Sequence, residues 1–146
     1  MNSSFYGAEY AKNIGMIRSA EGSDLSLKDY YHLLKRCWCA ETCAPRMRDR
    51  WTSDNPTLGQ CSVTAFLVQD YFGGKVFGIP LEEGGFHCYN VIGDHIFDLT
   101  DAQFGDRELD YAGLNPEQFR EVHFRAAEKQ ERYRLLKAMA DRMMGR

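Results

Sequence analysis

Cysteine and histidine are the residues in this sequence whose chemistry is not exhausted by packing. There are five of the first and four of the second in 146 residues. Cys61 follows Gly59-Gln60 and opens an apolar stretch that closes at Gly73-Gly74. A thiol at a helix start is a thiolate candidate, because the helix dipole and the free first-turn amides stabilise negative charge there. His87 and Asp98 fall in two strand-like runs joined by Gly93-Asp94. A carboxylate beside an imidazole fixes its tautomer and favours its protonated form. Cys61 as nucleophile, His87 as base and Asp98 as orienter would make a thiol-centred site for acyl chemistry. Backbone amides at the same helix start would serve as an oxyanion hole. The bland alternative is a Cys that is only a small buried hydrophobe and a His satisfied within a sheet.

The elements that must position these groups are legible in the pattern. Lys75–Pro80, Phe86–Ile92 and residues 95–100 are short and rich in β-branched and aromatic residues, as strands are. The Gly93-Asp94 link predicts a two-residue hairpin turn. Ile92 then pairs with His95, Tyr89 faces Asp98 and His87 faces Thr100. Alternation places His87, Tyr89, Ile96, Asp98 and Thr100 on one face, with Cys88, Phe97 and Leu99 on the other.

Cys61–Phe72 reads as a helix buried on most sides. Upstream, Ser26 with Asp29 predicts a capping box, and apolar spacing predicts a helix over 27–42 that lays Tyr30, Leu34 and Trp38 on the core. Pro45 ends it, and 46–58 reads as an irregular loop. A further helical region is expected near Asp101, and Leu114-Asn115-Pro116-Glu117 reads as another helix start. Residues 121–144 read as a helix with a Tyr133, Leu136, Ala140, Met143 stripe. Residues 1–24 read as a tail or a short appended helix over 8–18, and 25–146 as one α+β domain.

Composition bounds the function. At 44% hydrophobic and 27% charged residues the chain has the make-up of an ordinary globular domain, without an apolar run long enough to span a membrane. A net charge of −3 disfavours nucleic acid as a partner. No charged and apolar leader opens the chain, so a cytoplasmic location with reduced thiols is expected. Cys37, Cys39 and Cys43 could be metal ligands together with Cys61 or His87, but the spacing departs from the usual knuckle; no metal and no cofactor is expected. His32, His95 and His123 read as surface groups.

Several ordered motifs carry a resemblance: Gly59-Gln60-Cys61-Ser62-Val63-Thr64-Ala65, Val68-Gln69-Asp70-Tyr71-Phe72-Gly73-Gly74, Phe86-His87-Cys88-Tyr89-Asn90 and Phe97-Asp98-Leu99-Thr100-Asp101-Ala102-Gln103-Phe104-Gly105. Trp38-Cys39-Ala40-Glu41-Thr42, the Trp51 to Pro56 loop and Glu131-Arg132-Tyr133-Arg134-Leu135-Leu136 fit it too. Together, over most of 27–137, they resemble the YunG-like family of small bacterial proteins. Its Cys, His, Asp order looks like that of papain-like and transglutaminase-like thiol enzymes. The resemblance implies a papain-like core, a buried helix carrying Cys61 on a small antiparallel sheet with flanking helices, and the three roles assigned above. Where relatives tend to carry His-Tyr-Trp-Asn, this chain has His87-Cys88-Tyr89-Asn90.

The expected function is a thiol hydrolase or acyl transferase acting on an amide or thioester, in a small-molecule or peptide substrate. The alternative is a papain-like binding module without chemistry. Gln60 and Asn90, with the aromatics Trp38, Trp51 and Tyr89, are the candidates for binding. The C-terminal stripe is expected to pack on its own domain or to form a homodimer.

Overall fold

The computed structural model describes residues 4–146. Its elements run β1 (Ile17–Arg18), β2 (Asp24–Leu25), α1 (Leu27–Lys35), α2 (Cys61–Phe72), β3 (Lys75–Pro80), β4 (Phe86–Ile92), β5 (His95–Phe97), β6 (Glu117–Gln118), α3 (Arg120–His123) and α4 (Ala127–Met143), with 3-10 turns between. The fold is α+β. Its main sheet is antiparallel, in the order β5-β4-β3-β6.

α2 is buried over 62–68 because apolar residues occupy most of its circumference. Val63, Phe66, Leu67 and Val68 are wholly covered, each contributing about 1.5–3 kcal/mol relative to exposure. One side of α2 lies on β4, where Asn90 Nδ2 donates to Ala65 O at 2.9 Å and Cys88 joins Ala65, Phe66 and Val76. α4 covers α2 from elsewhere, burying Leu136 and Ala140 in the main cluster. The C-terminal stripe thus packs on its own domain, with Tyr133 against both clusters and Met143 partly exposed.

The hairpin register is the expected one: Ile92 pairs with His95, Val91 with Ile96 and Asn90 with Phe97. β5 stops at Phe97, short of Thr100, because Asp98 leaves β4 to bridge Tyr6, its N–H donating to Tyr6 O at 3.0 Å. From residue 4 the leading segment is docked on the domain: Ala8–Asn13 is a short 3-10 helix inside the expected 8–18 span, Ile17–Arg18 pairs with β2, and Phe5, Ala8, Ala11 and Ile17 enter the core. Residues 1–3 lie outside the described residues.

Other boundaries shift for local reasons. The capping box is present: Asp29 N–H donates to Ser26 Oγ and Ser26 N–H to Asp29 Oδ2. α1 nevertheless ends at Lys35, because Thr42 Oγ1 folds back on the Cys39 backbone as both donor and acceptor, closing a separate turn. Pro45 starts a 3-10 turn over Pro45–Arg50 instead of only ending a helix. The helical region after Thr100 is one 3-10 turn, Asp101–Phe104. After Pro116 the chain pairs with β3 as β6 before α3 begins. The C-terminal helix is broken at 124–126, where Phe124 packs on Phe66 with ring centroids 5.5 Å apart. Among the described residues no helix is long and apolar enough to cross a membrane.

Candidate functional site

Cys61 is the first residue of α2, and the approach to it is built on Gly59. That residue has φ +70, and a Cβ there would lie 2.5 Å from Cys43 Sγ and 2.8 Å from Ala44 N. The close approach fixes the entry angle of the helix, with Ala44 N–H donating to Gly59 O at 2.9 Å and Gly59 N–H to Gln103 Oε1 at 3.3 Å. No side chain caps α2, so its first-turn amides keep free donor capacity. The Cys61 sulfur is half-buried and sits 3.8 Å from Phe86 O, at the start of β4.

His87 is the second residue of β4, next to Phe86, whose carbonyl the Cys61 sulfur approaches. Its Nε2 meets Asp98 Oδ2 at 2.7 Å with both side chains fully buried. The ring edge-packs on Phe104 at 4.7 Å. Nδ1 is buried without a hydrogen-bond partner. Asp98 is held by more than His87: Tyr111 Oη donates to Oδ2 at 2.6 Å and Thr100 N–H to Oδ1 at 3.2 Å.

The electrostatics follow from this arrangement. Burial alone would push the His87 pKa down, but the charge and hydrogen bond of Asp98, with the neighbouring Cys61, raise it to about 10. The neighbouring Cys88 thiol first, and the charge of His87 with it, hold the Cys61 thiol well below its ordinary value despite burial. Cys88 is pushed well up, by its hydrogen bond to Cys61 and by burial. Both shifts favour the thiolate and imidazolium forms of the pair.

The sulfur and the imidazole share a cleft of about 680 Å³, whose other walls include Gln103, Phe104, His123 and Lys129. The structure thus brings Cys61, His87 and Asp98 together, and none of the five side chains expected to bind substrate lines this cleft. Gln60 is wholly buried, with Nε2 donating to Cys39 O at 3.0 Å. Asn90 is committed to Ala65 O. Tyr89 accepts from Asn115 Nδ2 at 2.9 Å under Tyr111. Trp38 Nε1 donates to Thr64 Oγ1 at 2.9 Å, and Trp51 Nε1 to Pro56 O at 3.0 Å. Both tryptophans line a separate cavity of about 470 Å³ with Tyr31 and Thr57.

Three contributors carried no signal in the sequence. Tyr111 sits in an irregular segment. Tyr6 acts through its backbone. His123, expected on the surface, is half-buried at the cleft with Nε2 facing Gln118 Oε1 at 2.8 Å. All five cysteines are free, Cys37 Sγ lies 3.4 Å from Met143 Sδ, and among the described residues no group of three or more His, Cys, Asp or Glu is placed to hold a metal ion.

Comparison with known proteins gives a consistent picture. A family model described as YunG protein matches residues 26–145. Over 106 residues the chain is 33% identical to "Uncharacterized protein YunG" of Bacillus subtilis (strain 168), covering 66% of this chain and 85% of that protein. No solved structure matches.

Proposed function

The chain belongs to the YunG family, and from the geometry of its cleft we propose that it is a thiol hydrolase or acyl transferase. In this reading the core is papain-like, with Cys61 on the helix and His87 and Asp98 on the sheet. The observation that carries it is the polarity of His87. One ring nitrogen is bound to a buried carboxylate at 2.7 Å, and the other is buried and unpartnered beside a thiol whose pKa is depressed. A histidine that was merely satisfied within a sheet would leave no nitrogen free.

The chemistry is as follows. Cys61 Sγ, as thiolate, attacks the carbonyl carbon of an amide or thioester and forms an S–C bond. The oxyanion that develops lies at the α2 start, where backbone N–H groups can donate to it. His87 gives its proton to the departing nitrogen or sulfur. Water, deprotonated by His87, then attacks the acyl-Cys61 carbon, breaks the S–C bond and releases an acid; a different nucleophile gives transfer instead. Asp98 holds the ring throughout.

The test is alkylation by iodoacetamide as a function of pH, read on the peptide that contains Cys61. Because the folded thiol is shifted down, Cys61 is expected to label at pH values where an ordinary thiol, of pKa about 8.5, is still protonated. It should also outpace Cys37, Cys39, Cys43 and Cys88. His87→Ala should move the profile up toward that of an ordinary thiol and lower turnover of an activated thioester by about 10²–10⁴-fold. Slow labelling of all five thiols, unchanged in His87→Ala, would leave only a non-catalytic binding scaffold.

A further inference from the structure

The wall of the cleft contributed by α3 and α4 carries a positive charge with no carboxylate to balance it. Lys129 Nζ donates to His123 Nδ1 at 2.9 Å, and His123 Nε2 in turn donates to Gln118 Oε1 at 2.8 Å. Among the described residues, Lys129 makes no ion pair. The nearby carboxylate of Glu128 is taken by Arg132 Nε at 2.8 Å. Arg46 also lines the cleft without an ion pair, against two exposed carboxylates, Glu83 and the Arg132-paired Glu128.

A neutral imidazole is an unusual acceptor for an ammonium group, and it has a definite effect. It holds Nζ in place without cancelling its charge. Burial, with Lys129 next in effect, pushes the His123 pKa down to about 4, so the ring stays neutral and keeps Nδ1 as an acceptor at neutral pH. α3 is itself anchored: Arg120 pairs with Asp70 at 2.6 Å and donates to Phe66 O at 3.1 Å, while His123 edge-packs on Phe66 at 5.1 Å. The group lines the same cleft as Cys61 and His87.

We propose that the cleft selects substrates bearing a carboxylate next to the carbonyl that Cys61 attacks, and that Lys129, held by His123, is the specificity-determining residue that receives that carboxylate. The proposal rests on the reading of Cys61 as the reacting thiol. An ammonium with two N–H groups left after His123 suits one anionic group, and its effect is strongest where the cleft excludes water.

Two alkylating reagents of nearly equal size and opposite usefulness to such a charge test it: iodoacetate, an anion, and iodoacetamide, which is neutral. Their rate ratio at Cys61 is measured at low ionic strength by mass spectrometry of the peptide. The ratio is expected to exceed that of the same chain unfolded in urea, and to fall about 3–10-fold in Lys129→Met while the iodoacetamide rate stays within about twofold. Lys129→Arg should keep the high ratio, which separates charge from packing. A ratio unchanged in Lys129→Met overturns the proposal. Measured at pH 8.5, where unactivated thiols also react, the ratio is readable even if Cys61 is sluggish. Failure of the thiol reading, a slow iodoacetamide reaction below neutrality, is thus distinct from failure of the charge preference.

Discussion

Two hydrogen bonds converge on Asp98 Oδ2, and the one from Tyr111, at 2.6 Å, is as short as the 2.7 Å contact with His87. Burial and the Asp98 charge both push the Tyr111 phenol up, so it remains a donor throughout the working range. In the proposed site Tyr111 would be a positioning residue, since it reaches His87 only through the carboxylate. Tyr111→Phe should cost about 1.5–3 kcal/mol of stability, the usual worth of a hydrogen bond to a charged group, read from urea denaturation. It should also leave the Asp98 charge less dispersed, so that the imidazolium of His87, followed by NMR, persists to higher pH than in the parent. A stability loss with no change in His87 titration would make Tyr111 structural only.

At the scale of elements, α2 is held differently at its two ends. Gly59 and Gly73 both have positive φ, +70 and +79, but only Gly59 has neighbours within reach of a Cβ. Gly73→Ala should show the backbone strain alone, about 1–2 kcal/mol. Gly59→Ala should show that strain plus the displacement of Cys43 and Ala44. It should also slow Cys61 alkylation, which Gly73→Ala should leave alone. Comparing denaturation midpoints and labelling rates of the two variants checks this. α2 itself was readable in the sequence because a dozen apolar-rich residues end on a double glycine. The register of β4 and β5 was readable because a two-residue link permits one pairing. The early end of α1 was not, since it depends on Thr42 turning back on Cys39, a competition between side chain and backbone that periodicity does not register. β6 was hidden for a similar reason: Pro116 resembles a helix start locally, and only the open edge of β3 makes it a strand.

Across the whole molecule, the three polar groups were legible as types and roughly as neighbours, but what holds them was not. Tyr6, Tyr111 and Lys129 come from parts of the chain with no motif, and they reach the site by tertiary contact alone. The binding candidates lie outside the cleft for a different reason. Trp38, Trp51, Tyr89, Gln60 and Asn90 are conspicuous by type, and each has a partner within the fold. Adjacency along a strand or turn does not imply a shared cavity, because consecutive residues face opposite ways.

The bridge between Tyr6 and Asp98 has a consequence for how far this chain can be trimmed. The stretch it has in common with its relatives begins at residue 26, while the strand partner of the aspartate lies twenty residues earlier. A version starting at Ser26 would keep every catalytic candidate and lose the strut beneath one of them, along with the core contacts of Phe5, Ala8, Ala11 and Ile17. Such a version should melt earlier than the parent in a thermal scan. Any that remains folded should show Cys61 labelling shifted toward ordinary thiol behaviour, as a loosened carboxylate lets the imidazole swing. Shared length and sufficient length are then different things in this protein: the matched segment carries Cys61, His87 and Asp98, and the preceding one carries the strand partner of the aspartate.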